Sequence, residues 1–162
     1  MEAVAAHFGK HVLREVELET VESHIGELRR ACGDRAVLRA LHYYDENARV
    51  LEQAAAIRGG DLPAFFDAVT RSGDSSWKLL QNVYARSTEE QMAMGIELSR
   101  RFLHGDGAQR VHGGGFAGTI QAYVPLDRLD DYKKLMEDAF GPGSCTALMV
   151  RPEGAVMMPM EG

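Results

Sequence analysis

The chain has 162 residues, the size of one domain and cramped for two, and 45% of them are apolar, enough to bury a single core. Acidic residues outnumber basic ones by 24 to 18, and a net charge of -6 leaves no broad basic face for nucleic acid or an anionic membrane, so neither is expected as a partner. No apolar run approaches the roughly 18 residues that span a bilayer, and the first residues lack the order of a signal peptide, so a cytoplasmic protein is expected. Cys32 and Cys145 form no Cys-x-x-Cys pair, and no His-Glu-x-x-His occurs; no metal site is expected.

In chain order, His11 to Val16 reads as an extended piece that could supply a strand. Leu18, Val21, Ile25 and Leu28 then recur at helical spacing and predict one short helix, stopped by Gly33. A longer helix is predicted from Arg35 to Arg58, with Val37, Leu41, Tyr44, Ala48, Leu51 and Ala55 on one stripe and Gly59-Gly60 at its end. Asp61 caps the next helix, Pro63 sits in its first turn, and Gly73-Asp74-Ser75-Ser76 breaks it. Ser87 to Glu90 offers a capping box for a helix through Met92, Ile96, Ser99 and Leu103, closed by His104 to Gly107.

Beyond this point the pattern shortens. Ala108 to His112 and Thr119 to Val124 predict a hairpin, Leu129 to Phe140 a helix, and Cys145 to Val150 a last buried strand. The order is helices followed by ββαβ, a two-layer α+β domain with helices on one face of a small antiparallel sheet. The helical part covers 1–105 and the hairpin part 106–152, while 153–162 reads as a frayed tail.

The hairpin turn is the most informative segment. Gly113, Gly114, Gly115 and Gly118 lie within six residues, joined by Phe116 and Ala117. Such a run allows positive φ and close approach to peptide N–H groups, which suits an anion; equally, the glycines serve only the bend. Beside it, Arg110 is a phosphate ligand or the partner of a carboxylate, and His112 a hydrogen-bond donor near neutral pH or a strand-end imidazole facing solvent.

Arg110-x-x-Gly113-x-Gly115-Phe116-x-Gly118 resembles the third motif of the galactokinase branch of the GHMP small-molecule kinases, commonly Arg-Met-Thr-Gly-x-Gly-Phe-Gly-Gly-Cys. About seventy residues upstream, His42 to Leu51 is similar to that family's helical His-x-x-x-Glu-Asn-x-Arg-Val, followed by the Gly60-Asp61-Leu62 step. Ser72 to Ser76 resembles the family's Ser-His-x-Ser-Leu without its His, and Ala3 to Gly9 resembles the segment that opens the C-terminal half. Neither the N-terminal sugar signature nor the Pro-x-x-x-Gly-Leu-Ser-Ser-Ser-Ala loop is found.

The resemblance implies the ferredoxin-like C-terminal domain of a GHMP kinase, spanning 1–152. ATP and Mg²⁺ would be bound mainly by an N-terminal GHMP kinase domain, the principal partner besides the sugar. By the same resemblance, no catalytic residue is expected in this chain. The loop from Gly113 to Gly118 would lie in the interdomain cleft while galactose is phosphorylated to galactose 1-phosphate, and the fragment alone is expected to be inactive. His112, Gly114, Ala117 and Thr119 depart from the usual motif. Glu46, Asn47 and Arg49 read as residues that fix helix packing, with Asp45 and Arg49 as an i,i+4 pair. Ser72 to Ser76 reads as a turn or cap. The alternative reading is a non-catalytic α+β module for small-ligand binding or dimerisation.

Overall fold

A computed structural model describes residues 1–83, 86, 88–116, 118–150 and 154. Helices α1 (Glu2–His7), α2 (Leu18–Ser23), α3 (Ile25–Cys32), α4 (Asp34–Gly59), α5 (Leu62–Ser75), α6 (Gln91–Leu103) and α7 (Leu129–Phe140) accompany a hairpin of β1 (Ala108–Val111) and β2 (Ile120–Tyr123). The result is an α+β domain, mostly helical, with a small antiparallel sheet.

Local chemistry explains most boundaries. At the start of α5 the Asp61 carboxylate accepts from the Ala64 N–H at 3.0 Å, satisfying one of the free donors of the first turn. Gly60, left-handed at φ 69°, turns the chain from α4 into that cap. The predicted helix from Leu18 to Leu28 is two helices. Ser23 Oγ donates to Thr20 O and His24 Nδ1 lies 2.8 Å from the same carbonyl, so side chains crowd an acceptor that a continuous helix would use. The predicted strand from His11 to Val16 is instead a 3₁₀ turn, Leu13–Glu15. There the Glu15 carboxylate accepts from the N–H groups of His11 and Val12, which hold its pKa below the ordinary value.

Cys145 to Val150 forms no strand. Leu148, Met149 and Val150 are 87%, 94% and 92% exposed. The only strands among the described residues are β1 and β2, so the expected ββαβ order is ββα. An apolar run reports that a segment favours burial, not that this chain supplies the surface to bury it. Ser87 and the tail from 153, apart from Gly154, lie outside the described residues, and in place of the expected capping box α6 starts at Gln91 with Glu90 at its N-cap and no side-chain cap bond.

Two apolar clusters hold the helices together. One gathers Val4, Ala5, Leu13, Val16, Val21, Leu28, Val37 and Ala40; the other gathers Val83, Met92, Ala93, Ile96 and Val111. Tyr44 ties the 3₁₀ turn to α4, its hydroxyl 2.7 Å from Val16 O. Beyond the first cluster α4 departs from its predicted stripe: Leu51 is 72% exposed, whereas His42, Arg49 and Ala56 are buried. Spaced by seven, these three share the face turned to α5.

Candidate functional site: the glycine-rich hairpin loop

The hairpin pairs Ala108 with Tyr123 and Val111 with Ile120, and His112 N–H adds a bond to Thr119 O at 3.0 Å. The loop that follows takes φ of 61° at Gly113, 72° at Gly115, 55° at Phe116 and 81° at Gly118. Ala117 lies outside the described residues. Phe116 has a Cβ, so its left-handed backbone costs on the order of 1 kcal/mol and needs an external hold. Asn82 supplies it: Phe116 N–H donates to Asn82 O at 3.0 Å, and Asn82 Nδ2 donates to Gly114 O at 3.1 Å. Between these bonds lies Gly115, where a Cβ would stand 2.1 Å from Asn82 O. Only glycine fits there. Among the described residues nothing comes within 4 Å of a Cβ built on Gly113, Gly114 or Gly118.

Asn82 reaches this position through an irregular end to α5. The helix runs into a π turn, Ser76–Leu80, closed by Gln81 N–H on Ser76 O at 2.7 Å, and Gln81 itself is left-handed at φ 60°. Arg39 Nε of α4 donates to Leu80 O at 3.1 Å and fixes the exit. Asn82 is 2% exposed, and its Oδ1 is buried with no hydrogen-bond partner among the described residues.

The flanking candidates are less engaged. His112 is exposed, with Nδ1 3.4 Å from Gln121 Oε1, at the weak limit of a hydrogen bond. Arg110 makes no ion pair among the described residues; its Nε donates to Val111 O at 3.1 Å. Of its two expected partners, phosphate or carboxylate, no carboxylate is met among the described residues.

Beneath the hairpin, α4 and α5 meet through polar groups. Ser72 Oγ donates to Glu46 Oε2 at 2.5 Å, Glu46 Oε1 accepts from Arg49 Nη1 at 2.8 Å, and Arg49 Nη2 is 3.3 Å from Asp45 Oδ2. His42 Nδ1 lies 2.9 Å from Ser75 Oγ. Burial lowers the His42 pKa; Glu46 and Asp45 push it up, and Arg49 and Arg110 push it down. The segment from Gly73 to Ser76 holds the end of α5, at Ser75, and the passage into the π turn, with Ser76 at the C-cap position. Gly73 lets α5 touch β1, for a Cβ there would stand 3.0 Å from both Arg110 Cβ and Gln109 O, while Ser72 and Ser75 bond to α4.

No family model matches the chain. Over 139 residues, 86% of the chain, it is 30% identical to the galactokinase of Mannheimia succiniciproducens, 32% to that of Haemophilus influenzae strain Rd and 28% to that of Pasteurella multocida. Galactokinases are its homologues. The chain spans about a third of the length of these relatives, 34 to 35%.

The segments that resemble galactokinase motifs are joined in the fold. His42, Glu46 and Arg49, spaced to share a helix face, meet Ser72 and Ser75, which also share one. That matching was a signal available in the sequence. Asn82 had none, because its role arises only once the π turn has brought it to the loop. Two surface grooves, of about 440 and 330 Å³, are lined in part by Met1 and Glu2 and by no residue of the loop. No helix among the described residues is long and apolar enough to cross a membrane.

Proposed function

We propose that this chain, over residues 1–152, is the C-terminal domain of a cytoplasmic sugar kinase of the GHMP superfamily, most simply a galactokinase. The reaction is transfer of a phosphoryl group from ATP to the anomeric hydroxyl of galactose. The loop from Gly113 to Gly118 faces a cleft whose other wall is an N-terminal domain carrying the catalytic residues and most contacts to ATP and Mg²⁺.

The observation that carries the reading is the open backbone of the loop. Gly113 and Gly118 hold positive φ, and among the described residues nothing comes within 4 Å of a Cβ built on Gly113, Gly114 or Gly118, which leaves space beside their backbone for phosphate oxygens to reach peptide N–H groups. The loop fits a phosphate in this respect. Bound ATP and Mg²⁺ supply the transferable group and neutralise its charge, while the loop N–H groups orient its oxygens. Mg²⁺ is assigned to the other wall by the resemblance to the family. Exposed His112 is an accessory donor beside the loop.

The test is to express the complete reading frame that carries this chain and assay it with ATP, Mg²⁺ and a panel of hexoses. Galactose is expected to be phosphorylated, and the 162-residue chain alone to give no turnover. A complete protein that phosphorylates no hexose, or an isolated chain that does, overturns the proposal.

A further inference from the structure

We propose that Asn82 is the positioning residue of the glycine-rich loop, shaping the phosphate-facing backbone without touching phosphate itself. The function assigned to the loop rests on the kinase reading above; the shaping does not. Asn82 grips the loop on both sides of Gly115, through its main-chain carbonyl on Phe116 N–H and its side-chain amide on Gly114 O. These bonds set the direction of successive peptide planes and hold Phe116 left-handed. The contact is too tight for any residue but glycine at 115.

The rest of the local structure serves this placement. A π turn has a wider ring than an α turn, and here it is followed by a non-glycine residue at positive φ; both are unfavourable unless something is gained. Their joint result is to bury Asn82 against the loop. Its Oδ1 is left without a partner among the described residues, so an amide is kept in a dry position for the sake of one donated bond. A side chain present only to fill space would be apolar.

Asn82→Asp removes the donor and keeps the shape, setting a carboxylate oxygen against Gly114 O. Gly115→Ala breaks the same grip from the other side. Both variants of the complete protein are compared with wild type by hydrogen exchange of the peptide spanning 112–121, with exchange in α6 as the internal reference. The loop peptide is expected to exchange about 10-fold faster in each, with α6 unchanged. In the kinase assay kcat is expected to fall by about 10- to 100-fold while KM for the sugar moves less than about 3-fold, because misplaced N–H groups weaken catalysis more than sugar binding. Loop exchange equal to wild type in Asn82→Asp overturns the assignment, as does a loss of kcat/KM carried wholly by KM with kcat unchanged. Should Asn82→Asp not fold, the same criteria apply to Gly115→Ala. If wild type phosphorylates no hexose but both variants loosen the loop, the kinase reading fails and the positioning role stands.

Discussion

The Ser72 hydroxyl donates to Glu46 at 2.5 Å, and through this bond one carboxylate joins α5 to α4 while pairing the buried guanidinium of Arg49. Removing Glu46 therefore costs more than a hydrogen bond, since Arg49 keeps only Asp45 at 3.3 Å and its Nε already lacks a partner among the described residues. Glu46→Ala is expected to lower stability by about 3 kcal/mol, and Ser72→Ala by about 1 to 2 kcal/mol. Urea unfolding of both singles and the double is expected to show clear non-additivity, because the two act on one contact.

Gly73 and Gly26 are both helical, and propensity alone favours alanine at each. At Gly73 a Cβ would press on β1 at 3.0 Å, whereas at Gly26 the nearest atom is the flexible Arg30 Nη1 at 3.9 Å. Gly26→Ala is expected to stabilise by about 0.5 to 1 kcal/mol. Gly73→Ala is expected to destabilise by about 1 to 2 kcal/mol, since strand displacement outweighs the propensity gain. Urea midpoints of the two variants, moving in opposite directions, are the check.

Burial keeps the His42 imidazole neutral in the fold, with its pKa below the unfolded value. The sign follows directly. As pH falls below about 6.5 the unfolded chain takes up the proton first, so His42's contribution to stability is present above that pH and is lost toward the lower folded pKa. The difference in unfolding free energy between wild type and His42→Gln is expected to shrink from pH 7 to pH 5. A difference that grows on acidification would refute this.

Leu148 offers a direct test of the segment that departs furthest from its sequence pattern. A buried strand residue replaced by lysine would lose several kcal/mol; at 87% exposure Leu148→Lys is expected to stay within about 0.5 kcal/mol of wild type. Thermal unfolding of this one variant separates the two cases.

Much of the fold was legible where its cause is local. Gly60 and Asp61 mark the passage from α4 to α5 because left-handed turns and N-caps depend on one or two residues. Glycines between short alternating segments likewise marked the hairpin. What stayed hidden depends on distant partners. The buried face of α4 carries His42 and Arg49, which an apolar stripe passes over, and they are tolerated only because Ser75 and Glu46 meet them. Gly73 looked like a helix breaker because its reason, the nearness of Arg110, lies on another element. The loop of the candidate site was visible as composition, but Asn82, which gives it shape, was not.

Among the described residues the two apolar clusters share no side chain, and α4, which gives Val37 and Ala40 to the first, meets α5 through polar contacts. Such a molecule need not open as one unit. Amides of α1 to α3 report the opening of the first cluster, and those of α6 and β1 the opening of the second, each with its own free energy. A ligand that stiffens the hairpin would slow exchange in the second group and leave the first unchanged, so occupancy of the loop can be read at a distance from backbone protons that never touch it.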